Sequence, residues 1–273
     1  MKDLIDIGVN LTGKSFQKDL AKVIESADES GVSQMVVTGT NIEHSELAIE
    51  LCESWPDKLF STAGVHPHHA KEWTEKTALE IHNMAQQACV KSVGECGLDY
   101  NRNFSEPKDQ RRCFEDQLEL AADLKLPVFL HQRDAHDDFL NILSRWRDKL
   151  SGGVAHCFTG TLQEAKSYLD LDLYIGVTGW LCDERRGKDL QQAVKEIPLT
   201  HLMIETDAPY LLPRDLPTEM LKKLHDRRNE PFVLPHICEE LAAYKNEDPD
   251  KVAKQTTLLA RQFFDLPEVA GQV

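Results

Sequence analysis

The chain has 273 residues, of which 41% are hydrophobic and 28% charged, a composition that excludes an intrinsically disordered protein. The formal net charge of −15 excludes a broad basic face for duplex nucleic acid, and by itself favours an enzyme that acts on small molecules. The sequence contains no run close to the roughly 20 apolar residues of a membrane span and begins without an apolar signal core, which predicts a cytoplasmic protein. Seven scattered cysteines without a C-x-x-C pair argue against a disulfide framework and against a zinc ribbon.

Short apolar, β-branched runs alternate along the chain with segments of helical periodicity. The runs predicted as strands are 4–9, 34–38, 59–65, 91–94, 127–131, 153–157, 173–177 and 201–206. The first helical segment, beginning near Phe16, has Gly31 as its predicted C-cap. The clearest helix covers 105–125, with Ser105 as its predicted N-cap and Pro107 in its first turn.

Strands that alternate with helices predict βαβ units and a parallel sheet, and eight units predict a closed TIM (β/α)8 barrel. The alternative is an open Rossmann-like sheet, which would require a glycine-rich loop after the first strand. Residues 8–13 do not form G-x-G-x-x-G, so the barrel is favoured. Segment 213–231 is predicted as a long loop over the barrel mouth, and a helical region at 234–264 closes a single domain over residues 1–273.

Side chains that can bind metals or transfer protons recur at the carboxyl ends of five predicted strands. They are His66, Glu95, His131, His156 and Asp207. Because the carboxyl ends of barrel strands meet at one face, where TIM-barrel enzymes carry out catalysis, we expect these side chains to converge. A single histidine at a strand end is more often structural, but five coincident positions are hard to explain by packing.

The chemistry of this group supports a metal centre. One carboxylate with two imidazoles, here Glu95, His131 and His156, suits Zn, Mn or Fe, and it tolerates Mg when water completes the coordination. A bound divalent cation makes water easier to deprotonate, and Asp207 is the best-placed carboxylate to accept that proton. No G-x-S-x-G motif is present, which disfavours a serine nucleophile.

The segments around these residues resemble the TatD-type metal-dependent deoxyribonucleases. The segments that carry the resemblance are GVHP (64–67), GECGLD (94–99), HQRDA (131–135), HCFTG (156–160) and ETDAPYL (205–211). They occur in the family's order across about 6–264. The resemblance implies an amidohydrolase-like TIM barrel that hydrolyses phosphodiester bonds with one or two divalent metals.

By position, the resemblance implies that Glu95 can bridge two metals, that His131 and His156 complete one metal site, and that Asp207 lies near the attacking water. It also implies contacts to the substrate phosphate. The expected phosphate-binding residues are His66, Arg133, Asn10, Arg185 and Arg214. Neighbouring arginines at 186, 227 and 228 could add to them. The aromatic residues expected to stack on unpaired bases are Tyr100, Phe158, Trp180 and Tyr210.

One segment departs from the family pattern. Most relatives carry H-x-H at the end of the first strand, where this chain has Gly8 and Asn10. The metal site that uses this histidine pair should therefore be weak, rich in water or empty. Segments 6–12, 96–103 and 182–187 resemble a subgroup associated with magnesium-dependent 3'-5' exonuclease action on single-stranded DNA and RNA. The resemblance thus implies Mg²⁺, with Mn²⁺ or Zn²⁺ as alternatives, a nucleic-acid substrate and a role in DNA repair. The sequence shows no obvious exposed apolar stripe, so a monomer is the default expectation.

Two other functions remain open at this point. A barrel of this kind also supports ester or amide hydrolysis, for example the deacylation of aminoacyl-tRNA, and the fold alone does not decide between these reactions. A degraded site kept as a binding scaffold is the non-enzymatic alternative. The retention of the carboxylates and imidazoles at the strand ends disfavours it.

Overall fold

The computed structural model describes residues 3–269, which form eight strands, ten α-helices and short 3-10 turns. The strands are β1 Leu4–Val9, β2 Val32–Val37, β3 Leu59–Ala63, β4 Val90–Asp99, β5 Val128–Arg133, β6 Gly153–Ala155, β7 Tyr174–Val177 and β8 Leu202–Ile204. The helices are α1 Leu20–Glu29, α2 Ile42–Ser54, α3 Glu75–Met84, α4 Pro107–Leu124, α5 His136–Trp146, α6 Leu162–Asp170, α7 Lys188–Glu196, α8 Thr218–Leu221, α9 Leu234–Lys245 and α10 Pro249–Phe263. Within this part of the chain, no helix combines the length and apolar character that a bilayer crossing would require.

The eight strands form one sheet in the order of the chain, β1 to β8. The ends of β1 and β8 are joined in turn, since the amide of Asp207 donates to the carbonyl of Gly8 (2.9 Å) and that of Asn10 to Ala208 (2.8 Å). Strand β1 is buried along its whole length, as expected of a parallel strand covered on both faces. The predicted (β/α)8 barrel is confirmed.

The described residues fall into two compact units. The terminal unit consists of 3–37, 157–166 and 175–269, and the central unit of 38–156 and 167–174. The central unit carries β3 to β6, and its core includes Ile81, Val90 and Cys113. The terminal unit carries β1, β2 and β8, with α9 and α10 among its helices.

Several local predictions were imprecise, and the predicted loop 213–231 contains the short helix α8. Strand β4 extends to Asp99, well beyond the predicted 91–94. Ser105 was wrong as a cap, because Glu106 precedes α4 and the Ser105 hydroxyl instead donates to the carbonyl of His68 (3.0 Å) and accepts from the amide of Lys71 (3.0 Å). The region 234–264 is two helices, interrupted where Asn246 adopts a left-handed conformation with φ 51°.

Two buried glutamines on α4 hold the ends of neighbouring strands. Gln117 accepts from the amide of Val65 (2.8 Å) and donates to its carbonyl (2.9 Å). Seven residues earlier on the same helix, Gln110 accepts from the amide of Asp99 (2.8 Å) and donates to its carbonyl (3.1 Å). Each glutamine side chain therefore binds both backbone groups of one strand residue, as a neighbouring strand would do. Helix α4 thereby fixes the chain at the positions next to His66 and at Asp99.

We expect Gln117→Leu to lower the free energy of unfolding by about 2–4 kcal/mol, because it leaves the amide and the carbonyl of Val65 buried without partners. Urea unfolding monitored by circular dichroism gives this value, provided that the slope with denaturant is unchanged. Glu119→Ala, at an exposed position on the same helix, is the matched control and should change stability by less than about 0.5 kcal/mol. Equal effects of the two substitutions would contradict the assigned role of Gln117.

Candidate active site

The central unit gathers three imidazoles around one carboxylate oxygen, Oε1 of Glu95. His156 Nε2 lies 2.8 Å from it, His131 Nδ1 2.9 Å and His66 Nε2 3.4 Å. Glu95 is 6% exposed, and His66 and His156 are similarly buried. Four of the five residues predicted to converge from strand ends therefore lie in one cluster.

The backbone of β4 delivers Glu95 to this position. The pairing of β4 with β5 changes register between Gly94 and Cys96, on either side of Glu95. Gly94 and Gly97 have φ values of 143° and 142°, a region that residues with a side chain rarely adopt. A Cβ at Gly97 would lie 1.9 Å from the carbonyl oxygen of His131. The two glycines thus permit a distorted strand to pass close to its neighbour.

His66 is held as a neutral hydrogen-bond donor. The backbone amide of His68 donates to its Nδ1 (3.1 Å), so the proton of the neutral ring is on Nε2, which points at Glu95. Burial, aided by neighbouring His131 and opposed by Glu95, lowers the pKa of His66 to about 4. At neutral pH the His66 ring therefore offers an N–H group without a positive charge.

The cluster continues to a second carboxylate, Asp99, which sequence reasoning did not assign to the site. Its Oδ2 accepts from His68 Nε2 (2.9 Å) and lies 3.5 Å from His131 Nε2. Its Oδ1 accepts the amides of Asn101 (3.0 Å) and Arg102 (2.8 Å), which fixes the carboxylate in a turn. The signal was present in the sequence, since Asp99 lies four residues after Glu95 on the same strand.

The charges in this cluster support one another. Burial opposes ionisation of Glu95, but its interactions with His156, His66 and His131 outweigh this effect and hold its pKa well below the usual range. Burial likewise opposes protonation of His131, yet the flanking carboxylates Asp99 and Glu95 raise the pKa of His131. An ionised carboxylate surrounded by imidazoles is the arrangement that a cation can take over by displacing protons.

The donor set fits a divalent cation. Ligand atoms of His66, Glu95 and His131 all lie within 4.8 Å of one another, and His156 Nε2 reaches the same Glu95 oxygen. His131 Nε2 is buried, and it has no hydrogen-bond partner among residues 3–269 because its 3.5 Å contact with Asp99 lacks the geometry of one. Imidazole nitrogens with one or two carboxylates are suitable ligands for Zn and Mn, and for Mg when water is also bound.

The terminal unit contains the fifth predicted residue, Asp207, directly after β8. Asn10 Nδ2 donates to its Oδ1 (2.9 Å), so the residue expected to contact phosphate instead binds this carboxylate. Asp207 adopts a left-handed conformation with φ 53°, uncommon for a residue with a side chain. Glu205, buried and not predicted as a site residue, accepts a hydrogen bond from the amide of Cys157.

The arginines expected to bind phosphate have different environments. Arg133 is exposed at the end of β5. Arg214 pairs with Glu184 (Nε–Oε2 3.1 Å), and Arg185 lies 3.6 Å from Asp183. Arg228 is taken up by internal contacts, because it joins Asp19 (2.6 Å) to Glu230 (3.1 Å) and is 11% exposed.

The predicted stacking aromatics also differ in accessibility. Tyr210 is 61% exposed, whereas Phe158 is buried and Tyr100 donates its hydroxyl to Asp138 (2.6 Å). The ring of Trp180 lies under the guanidinium of Arg186, 4.3 Å from its centroid. Phe104, which sequence reasoning missed, is 57% exposed and contacts the His68 ring edge-on at 4.7 Å. An exposed ring beside the cluster is suited to stack on a base.

The fold and the carboxylate–imidazole cluster define a (β/α)8 hydrolase with a candidate metal centre. The model of the TatD related DNases matches residues 5–265, and the chain belongs to this family. It is 51% identical over 263 residues to "3'-5' ssDNA/RNA exonuclease TatD" of Erwinia tasmaniensis, which covers 96% of this chain and 100% of the relative. A relative with the same name from Pectobacterium parmentieri is 49% identical over the same shares. The solved structure of YJJV, a TatD homologue from Escherichia coli K12, superposes with a TM-score of 0.86 at 26% identity, covering 97% of this chain and 99% of that one.

A buried carboxyl beside Asp207 generates a prediction about pH. Asp6 is fully buried, and it accepts from the Thr206 amide (2.9 Å) and from the Gly8 amide (3.3 Å) while its Oδ2 contacts the Thr206 hydroxyl (2.5 Å). Burial raises the pKa of Asp6 to about 7, with Glu205 adding to the effect and the Thr206 hydrogen bonds opposing it. The pKa of Asp6 is higher in the folded than in the unfolded state, so its protonated carboxyl stabilises the folded protein. This stabilisation is complete below pH 3.8 and is lost as the pH rises to about 7.

We therefore expect Asp6→Asn to abolish the fall in the free energy of unfolding between pH 3.8 and about 7, which is on the order of 4 kcal/mol. The amide side chain keeps an acceptor for the two backbone amides and can donate to Thr206. Urea unfolding at a series of pH values compares the variant with the parent. Asp123→Asn is the control, because Asp123 is an exposed carboxyl on α4. An unchanged pH profile in Asp6→Asn would contradict a protonated Asp6.

Proposed function

We propose that this protein is a divalent-metal-dependent 3'-5' exonuclease that hydrolyses phosphodiester bonds of single-stranded DNA and RNA. The observation that carries the proposal is the Glu95 carboxylate, kept ionised between His66, His131 and His156 at the carboxyl ends of barrel strands. The names of the relatives that are about half identical over nearly the whole chain support the reaction and the substrate.

In this proposal Glu95, His131 and His156 hold the cation. Mg²⁺ is the proposed ion, and Mn²⁺ and Zn²⁺ are alternatives that the nitrogen donors also suit. When bound, a divalent cation supplies Lewis acidity at the phosphate and at the attacking water. Asp99 and His68 act one layer further out, because Asp99 lies against the far nitrogen of His131 and His68 fixes Asp99. Such outer carboxylates orient a ligand ring and raise its basicity.

The substrate would be held by donors that suit an anion. The neutral His66 ring can donate from Nε2 to a phosphate oxygen without competing for the metal as a cation would. Arg133 is exposed beside the cluster and can pair with phosphate. Asn10, Arg185 and Arg214 remain proposed phosphate contacts, although Arg185 and Arg214 would have to exchange Asp183 and Glu184 for the substrate.

The proposed base is Asp207, with Glu95 as the second catalytic carboxylate. The Asn10 side chain donates to Oδ1 of Asp207, which orients the carboxylate that would accept a proton from water. The proposal also takes residues 1–273 as one catalytic domain that acts as a monomer in the cytoplasm, with DNA repair as its role.

The reaction can be tested with single strands labelled at either end. We expect label at the 3' end to be released first in Mg²⁺ or Mn²⁺, EDTA to stop the reaction, and a circular single strand to resist. Degradation of circular and linear strands at equal rates would contradict the exonuclease assignment.

Substitutions at the cluster test the metal centre itself. Glu95→Ala and His131→Ala should each lose most of the activity and the bound metal while circular dichroism and the melting temperature still report a folded barrel. His82→Ala, a half-buried histidine on α3, is the matched control and should keep both. Unchanged turnover in His131→Ala would remove the Glu95 cluster from the mechanism.

The role of Asp207 predicts a different pattern. Asp207→Asn keeps the shape of the side chain and an oxygen that accepts from Asn10, but it removes the proton acceptor. We therefore expect kcat to fall about 10²–10⁴-fold. Metal content, measured by elemental analysis, should stay close to that of the parent. A KM effect with unchanged kcat would instead make Asp207 a substrate-binding residue.

A further inference from the structure

A second group of metal-ligating side chains lies in the terminal unit, in residues that the proposed nuclease reaction does not use. Cys182 ends the 3-10 turn Gly179–Cys182 after β7, Asp215 lies in the segment after β8, and His236 is in the first turn of α9. One ligand atom of each lies within 4.8 Å of the other two. We propose that Cys182, Asp215 and His236 bind a divalent ion of the zinc class, independently of the Glu95 cluster.

The distances are close to those of a formed site. With bond lengths of about 2.0–2.3 Å to nitrogen, oxygen and sulfur, the ligand atoms of a tetrahedral zinc ion are roughly 3–4 Å apart. His236 Nε2 and Asp215 Oδ1 are already 2.8 Å apart, and the Cys182 sulfur lies within 4.8 Å of a ligand atom of each. Side-chain rotations that shift the ligand atoms by about an ångström would bring all three into contact with one ion.

The type of donor separates this site from the Glu95 cluster. A thiolate with an imidazole and a carboxylate favours Zn²⁺ or Co²⁺ over Mg²⁺, which prefers oxygen ligands. Glu240, one helical turn after His236, interacts electrostatically with His236, Asp215 and Cys182. It can provide the fourth ligand or hold a coordinated water. The surroundings of the thiol are thus negative and favour a cation.

Accessibility fits loading from solution. Cys182 and His236 are 5% and 8% exposed, whereas the Asp215 side chain is 41% exposed and forms the open side. On binding, the thiol gives its proton to solvent and the neutral His236 ring carries its proton on Nδ1, so that sulfur and Nε2 are free to ligate. One proton per ion is therefore released, and binding should weaken as the pH falls.

The position of the site suggests what it does. Cys182 directly precedes the segment that carries Arg185 and Arg186, and Asp215 directly follows Arg214. Asp183 and Glu184 already pair with these arginines. An ion at the site would join both arginine-bearing segments to α9 and so hold them in place.

Cobalt titration of the metal-free full-length protein tests the proposal, because a Co²⁺–thiolate bond gives a near-ultraviolet charge-transfer band that nitrogen and oxygen ligands do not. We expect the band to saturate at one cobalt–thiolate site per chain within two added equivalents, since the Glu95 cluster also binds the ion. Excess Zn²⁺ should remove the band and raise the melting temperature. Cys182→Ser should abolish the band. Cys238→Ser is the matched control, since Cys238 is a buried thiol on α9 outside the set, and it should retain the band.

His236→Asn, which keeps every cysteine, guards against misfolding of the cysteine variant and should weaken cobalt binding at least tenfold. Glu95→Ala should remove the metal of the nuclease site and leave the charge-transfer band intact, so that failure of the proposed function and failure of this site are distinguishable. A protein that shows no band at saturating Co²⁺, or a band that survives in Cys182→Ser, would overturn the proposal.

Discussion

The central unit depends on keeping one buried carboxylate ionised. A carboxylate that is 6% exposed, as Glu95 is, would ordinarily bind a proton, because burial disfavours the charged form. Three imidazole nitrogens within 3.4 Å of one of its oxygens reverse this preference. The distortion of β4 at Gly94 and Gly97 serves the same purpose, because the change of register around Glu95 lets its side chain approach His131 on β5.

Around this carboxylate the protein places rigid supports instead of mobile loops. Gln110 and Gln117 are seven residues apart and lie on one face of α4, and each binds both backbone groups of a residue at or beside the cluster. His68 has two functions, because its amide sets the tautomer of His66 and its ring fixes Asp99. Such outer contacts decide the direction of a ligand's lone pair and therefore its affinity for a metal.

Much of this arrangement could be predicted from the sequence, and the rest could not for physical reasons. Alternating apolar runs predicted the barrel, and the barrel predicted that residues at strand ends converge, which located Glu95, His131, His156 and His66. The glutamines of α4 gave no such signal, because a polar residue in an amphipathic helix normally indicates the solvent face. Asp99 was hidden by the underestimated length of β4. The Ser105 cap failed because a tertiary contact to His68 competed for its hydroxyl.

The arginines show the same limit in terms of charge. Sequence position brought Arg185, Arg214 and Arg228 into the strand-end loops, but it could not show which carboxylates they meet. Arg228 is buried between Asp19 and Glu230, where loss of a partner would leave an uncompensated charge, so its role is structural. Arg185 and Arg214 are exposed and paired with carboxylates in solvent, where pairs contribute little and exchange easily. In a chain with net charge −15, such exchangeable arginines keep anion-binding capacity without forming a broad basic surface.

The departure from the family's H-x-H pattern now has a structural interpretation. Gly8 and Asn10, at the positions where the family resemblance led us to expect H-x-H, both contact Asp207: the Gly8 carbonyl accepts its amide, and the Asn10 side chain donates to its carboxylate. An imidazole acting as a metal ligand would use the nitrogen lone pair for the ion, whereas an asparagine amide offers an N–H group to the carboxylate. The end of the first strand thus provides contacts that orient the Asp207 side chain and backbone. This arrangement leaves the Glu95 cluster as the group that gathers imidazoles around a carboxylate, while hydrogen bonds from Asn10 and Gly8 hold Asp207.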